Sequence, residues 1–202
     1  MKINIEKYNT EWTSQFEQIK ADLCSILVKL NPKIEHIGST SVPNLAAKPV
    51  IDILVGIESS SDLDKTIEPL ISNHYIYYEI YNSVMPNRRL FVGLKDKKDI
   101  RKLRNIYSKD DLIPHKKISQ LRLTHIHIWE HGTDDWNRHI AFRDYLREHP
   151  EITSQYEFLK KQLSLKDWKD GNEYNDAKDS FIKTEEAKAI LWYGKNNQAL
   201  FP

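Results

Sequence analysis

The chain's 202 residues and 23.8 kDa suit one compact domain, and 40% apolar composition supplies a core at that length. Its charged residues, 29% of the total, interleave to a net charge of +1, so bulk electrostatics gives no nucleic-acid or membrane signal. A single cysteine, Cys24, excludes an intrachain disulfide, and no run approaches the roughly 20 apolar residues that span a bilayer.

In chain order, "TEWTSQFEQIKADLCSILVKLNP" opens at a capping Thr10 and carries Trp12, Phe16, Ile19, Leu23 and Ile26 at helical spacing until Asn31-Pro32 stops it. Cys24 falls in this helix and is expected to be a buried structural thiol. The amino terminus holds no apolar core of signal-peptide length, so a cytoplasmic location is expected. "KIEHIG" reads as a short strand, and "PVIDILVGI" as a strand covered on both faces. "SSSDLDKTIEPLISNH" gives caps and then a helix that Pro69 shortens or kinks. "YIYYEIY" and "RRLFVGL" read as strands. Residues 95–119 are densely charged and read as a solvated surface insertion, with a basic lid over a cleft as the alternative. "QLRLTHIHIWEH" returns to strand alternation. The remainder is helical, beginning at an acidic cap in "DDWNRHIAFRDYLREHP". Residues 1–130 are therefore expected to form an α/β core with the insertion at about 95–119, and 131–202 a helical layer of the same domain.

The loop "HIGSTSVPNLAAKPVID" is the strongest candidate for chemistry. A glycine followed by a serine lets backbone amides approach an anion, and Ser39, Thr40 and Ser41 add hydroxyls. Asp52 stands inside an apolar strand, where a carboxylate without a partner is expensive. Beside a phosphate loop it could coordinate a divalent cation. His125 and His127 lie two apart on one strand and point the same way, which suits metal binding, phosphate binding or proton shuttling. His36 could join them or simply pack. Arg88 and Arg89 face opposite sides of a strand, so only one readily enters a cleft. Arg143 and Arg147 share a helix face and read either as a solvated ion-pair row or as cleft residues. The aromatics Trp168, Trp192, Tyr193 and Phe201 could form a contact patch, although packing within the chain explains them more simply.

"IEHIGSTSVPNLAAKPVIDILVGI", together with "PNRRLF", "THIHIW", "FRDYLREHPEITSQYEFLKKQL" and "YNDAKDSFI", resembles the GrpB family in content and order. That family usually has glycine where Asn44 stands, and a shorter connection than residues 95–119. The resemblance implies a nucleotidyltransferase-like fold: a mixed β-sheet flanked by helices. The superfamily pairs a Gly-Ser turn with a strand bearing two acids one residue apart. Gly38, Ser39 and Asp52 match, but the second acid position is Leu54. A two-metal mechanism needs carboxylates clamping ions roughly 4 Å apart, so that machinery is incomplete.

The function this implies is metal-dependent transfer of a nucleotidyl group to an unidentified small-molecule or protein acceptor. Gly38, Ser39, Thr40, Ser41, Lys48, Arg88, Arg89 and Arg143 would hold the phosphates of a nucleotide or phosphorylated small molecule. Asp52, His125 and His127 would hold Mg²⁺ or Mn²⁺, or else Zn²⁺, with Asp52 and His127 catalytic. The alternatives are a non-catalytic nucleotide-binding module and an accessory protein acting through its helical face.

Overall fold

The apolar run at 51–57 forms the second strand of a five-stranded sheet. The computed structural model describes residues 2–196. Its elements are α1 (Glu11–Ile26), β1 (Lys33–Ile37), β2 (Ile51–Ile57), α2 (Ile67–Ser72), β3 (Ile76–Tyr77), β4 (Arg89–Leu94), α3 (His115–Leu121), β5 (Arg122–Glu130), α4 (Asp134–Glu148), α5 (Pro150–Ser164) and α6 (Gly171–Asn196). The strands lie in the order β1-β2-β5-β4-β3. β2 and β5 run parallel, and the other neighbours antiparallel. This is the expected α/β class with a mixed sheet and flanking helices.

Side chains alternate along a strand, so β2 and β5 each serve two faces. Ile51, Ile53, Val55 and Ile57, with Ile126 and Ile128, turn toward Trp12, Phe16, Ile19 and Leu23 of α1. Each aliphatic side chain fully buried this way contributes about 1.5–3 kcal/mol. The opposite face carries Asp52 and Leu54 on β2 beside His125 and His127 on β5. Leu54 and Trp129 are covered by Trp136 and Ile140 of α4, with Ile37. The polar members of this face are left uncovered, and that opening is where the cavity described below lies. Among the described residues, no helix is long and apolar enough to cross a membrane.

Several local expectations change. Asn9, not Thr10, caps α1: its Oδ1 accepts the Glu11 N–H at 2.9 Å, while Thr10 already has helical backbone angles. An N-cap needs an extended backbone to aim its side chain at the first turn. Cys24 is exposed, because it lies about 100° round the helix from buried Leu23. Thr133 caps α4, its Oγ1 accepting the Trp136 N–H at 3.4 Å, while Asp134 and Asp135 occupy the first turn, where the helix dipole favours acids.

Residues 95–119 keep most of their side chains exposed, as a surface insertion should, but the segment is anchored on the sheet. Ile100, Tyr107 and Ile118 are buried against Ile76, Tyr78, Val92 and Leu94. The backbone also docks on β3: the Tyr77 N–H donates to the Asn105 carbonyl at 2.8 Å, and the Tyr107 N–H to the Tyr77 carbonyl at 2.9 Å. β3 holds only two residues, and Glu79–Tyr81 form a 3₁₀ turn whose Ile80 N–H also bonds this segment. The C-terminal aromatics pack inward, Trp192 and Tyr193 near Ala141, Tyr145 and Ala189, and Trp168 with Ile3 and Leu163. Phe201 lies outside the described residues.

Candidate functional site

Gly38 has φ +69°, and a Cβ there would stand 2.4 Å from Asp52 Oδ2. The glycine therefore lets the carboxylate come up against the loop. Parallel pairing sets Asp52 beside His125, and His125 Nδ1 lies 2.9 Å from Asp52 Oδ1. On the other side of the ring, Arg122 Nη1 lies 2.6 Å from His125 Nε2. A guanidinium only donates, so Nε2 accepts and Nδ1 carries the proton given to Asp52. Burial lowers the His125 pKa against the pull of Asp52, so the ring is neutral. Burial pushes the Asp52 carboxyl up, but the His125 hydrogen bond, helped by the Lys178 charge, outweighs it, leaving a net lowering.

Ligand atoms of Asp52, His125 and His127 lie within 4.8 Å of one another. One carboxylate and two imidazoles suit a single Mn²⁺ or Zn²⁺ better than Mg²⁺. Among the described residues His127 makes no hydrogen bond, so its ring is free to ligate. His125 would first have to release its Nδ1 proton, and the Arg122 charge opposes a cation beside it. Arg122→Met should therefore strengthen Mn²⁺ or Zn²⁺ binding roughly tenfold, read by calorimetry. Weaker or unchanged affinity would mean that Arg122 does not compete with the ion.

The loop, Asp52 and both histidines open on one cavity of about 540 Å³, within the range of small-molecule sites. Six lysine and arginine side chains line it, Lys48, Arg88, Arg122, Arg143, Lys160 and Lys178, with the carboxylates of Asp52 and Glu186. Among the described residues, Lys48, Arg88 and Lys178 form no ion pair. Burial lowers Lys48 and Lys178 to about 8 each, with nearby cations adding to the effect at Lys48 and Asp52 opposing it at both. Among the described residues, the hydroxyls of Tyr78 and Tyr174 and the Nε of Arg122 are buried with no hydrogen-bond partner, and all three residues line the same cavity.

Of the residues expected here, Gly38, Ser39, Thr40, Lys48, Asp52, Arg88, His125, His127 and Arg143 reach this cavity, whereas Ser41 and Arg89 do not. Ser41 Oγ donates to the Gly38 carbonyl at 2.6 Å, because the tight turn brings that oxygen within its reach. Arg89, on the other side of β4 from Arg88, pairs with Asp64 at 2.6 Å. Thr40 Oγ1 donates to the Val50 carbonyl at 3.3 Å and accepts from His36 Nε2 at 3.0 Å. Burial drops His36 to about 4 despite nearby Asp52, and its ring stacks on Phe16. His36 packs rather than joining the site. Arg143 is engaged by Glu35 and Asp144, each at 2.7 Å, and Arg147 holds the Ser41 carbonyl at 2.8 Å. These two arginines tie α4 to β1 and the loop. Sequence reasoning missed Arg122, Lys160 and Lys178. One signal for Lys160 was available: it shares a helical stripe with buried Tyr156 and Leu163.

The sequence matches the family described as "GrpB protein" over residues 2–188. The chain belongs to the GrpB family. It is 34% identical over 197 residues to the UPF0157 protein YqkA of Bacillus subtilis, covering 97% of this chain and 50% of that protein. This chain thus spans half the length of that relative. The glutamate-rich protein GrpB of Alkalihalophilus pseudofirmus is 31% identical over 176 residues, covering 87% of this chain and 88% of that one. The crystal structure of GrpB from Enterococcus faecalis superposes with a TM-score of 0.72 at 35% identity, over 94% of this chain and 99% of that one. Asn44, where the family usually has glycine, takes a left-handed φ of +65°, which asparagine tolerates better than other side chains.

Proposed function

We propose that this GrpB-family protein binds a nucleotide, or a phosphorylated small molecule of similar size, in the cavity beside Gly38. The observation that carries the reading is the charge of the walls: among the described residues Lys48, Arg88, Arg122 and Lys178 line the cavity of about 540 Å³ without an ion pair, against the carboxylate of Asp52. Buried cations without counter-ions are costly, and a polyphosphate supplies the missing charge. Lys48, Arg88 and Lys178 would meet its phosphates, aided by the Gly38–Ser39 turn. Tyr78 and Tyr174 have hydroxyls to offer the remainder of the ligand.

Nucleotidyl transfer is the second reading, favoured by Asp52 standing against the Gly38 turn inside that cavity. An ion held by Asp52 and His127, with His125, would polarise a phosphoryl oxygen. A two-ion clamp finds no second carboxylate beside Asp52: Leu54 is buried in an apolar cluster, and Glu186 is paired with Arg138 at 3.1 Å. Positioning and charge stabilisation by the cationic wall would then carry most of the effect.

The test is thermal unfolding with ATP, GTP, CTP or UTP, with and without Mn²⁺. A nucleotide at a hundred times its Kd stabilises by about 2.7 kcal/mol, and Arg88→Met with Lys178→Met should remove most of that gain. If none of the four raises the melting temperature, nucleotide binding is refuted. Pyrophosphate release would mark transfer, and binding without it the non-catalytic module.

A further inference from the structure

We propose that Ser39 and Lys160 form a serine–lysine pair through which the protein transfers a nucleotidyl group onto its own Ser39 hydroxyl. This inference rests on the nucleotide reading above. Both residues line the cavity. Lys160 comes from α5 and is 2% exposed. Its Nζ lies 3.0 Å from Ser39 Oγ and 2.6 Å from the Ala46 carbonyl, and 4.6 Å from the centre of the Tyr156 ring.

The surroundings favour an uncharged amine. Among the described residues, no carboxylate lies within ion-pair distance of Lys160. Glu157, one turn away, is turned to the Ala46 N–H at 2.9 Å and to Lys161. Lys178 of α6 adds a like charge. A buried ammonium without a counter-ion costs several kcal/mol. Burial first, and then Lys178, brings Lys160 down to about 7 against the weaker pull of Glu157. With a neutral lysine the donors and acceptors run in one direction. Ser39 O–H donates to the Lys160 lone pair, and a Lys160 N–H donates to the Ala46 carbonyl. A serine hydroxyl held by a neutral amine is an activated nucleophile.

In the transfer step, Ser39 Oγ attacks the α-phosphorus of a nucleoside triphosphate bound in the cavity. The Oγ–P bond forms as the P–O bond to pyrophosphate breaks. Pyrophosphate leaves with that electron pair, and the hydroxyl proton passes to Lys160 Nζ. The resulting ammonium sits beside the new phosphodiester anion.

The experiment is intact-mass and peptide-mapping spectrometry after incubation with each of ATP, GTP, CTP and UTP plus Mg²⁺ or Mn²⁺, run beside thermal unfolding on the same samples. One added nucleoside monophosphate on Ser39 is expected, with none in Ser39→Ala, Lys160→Met or Lys160→Arg. The arginine variant keeps a cation beneath the loop but cannot take the proton, so it separates a base from a structural post. Labelling should slow about tenfold per pH unit below 7 as the amine protonates. A raised melting temperature with no added mass overturns the pair and leaves nucleotide binding standing. Neither signal overturns both. Labelling that persists in Lys160→Arg, or falls on another residue, also overturns the pair.

Discussion

Replacing Leu54 with aspartate should lower stability by about 3–5 kcal/mol at neutral pH and create no two-ion site. The substitution places an acid where the sequence resemblance expects one, so a reading from motif alone expects a gain of function. The structure argues otherwise. Leu54 is 0% exposed and packs with Ile37, Trp129, Trp136 and Ile140. A carboxylate in that position has no cation to meet and would be held protonated. Its folded pKa would lie above its unfolded one, so the penalty grows as pH rises from about 4 and shrinks as pH falls back toward 4. Leu54→Ala separates the effects, because it removes the same packing, at about 2–5 kcal/mol, without adding a charge. Urea unfolding at pH 5 and pH 8 should show the aspartate variant losing more at the higher pH and the alanine variant changing little. A Leu54→Asp protein of normal stability that takes up a second metal ion would refute this account.

How much of this arrangement the sequence discloses depends on how local each cause is. The alternation of "PVIDILVGI" gives both a two-faced strand and the oddity of Asp52, since one strand suffices to show them. The opposed directions of Arg88 and Arg89 follow from the same period, and the cavity indeed receives only Arg88. Cys24 was misjudged because an apolar neighbourhood says less than an angle: the buried stripe of α1 is Trp12, Phe16, Ile19 and Leu23. The hydroxyls of Thr40 and Ser41 looked available because their partners, the Val50 and Gly38 carbonyls, become neighbours only when the loop closes. Lys160 is 121 positions from Ser39 and appears within "FLKKQL" as one of two adjacent lysines. Only the docking of α5 on the loop distinguishes it from Lys161, which remains at the surface paired with Glu157. The anchoring of residues 95–119 is not legible locally, because Ile100, Tyr107 and Ile118 are scattered among charges with no single period. Their burial is set by β3, β4 and the turn after β3 rather than by their own segment.

The Gly38→Ala variant should lose about 2–4 kcal/mol of stability and bind nucleotide roughly a hundred times more weakly, a loss near 2.7 kcal/mol. Two costs combine. The backbone at Gly38 has φ +69° and ψ −175°, a region open essentially to glycine alone and worth of order 1–3 kcal/mol to any other residue. The added methyl would also stand 2.4 Å from Asp52 Oδ2 and 2.9 Å from Asp52 Cβ. A carboxylate alone could rotate away, but contact with the Asp52 Cβ requires β2 or the loop to move. Either movement breaks the 2.9 Å bond from His125 Nδ1 and leaves a partly buried N–H unpaired, at about 1–3 kcal/mol. Asn44→Gly is the matched control, since it lies in the same loop at φ +65° and removes a side chain where none is needed. It should leave both stability and binding within a few tenths of a kcal/mol. The argument requires the two variants to differ, because strain at Gly38 is transmitted to Asp52 while strain at Asn44 is not. Equal behaviour in urea unfolding and nucleotide titration would mean that the close approach of the loop to Asp52 does not hold the site together.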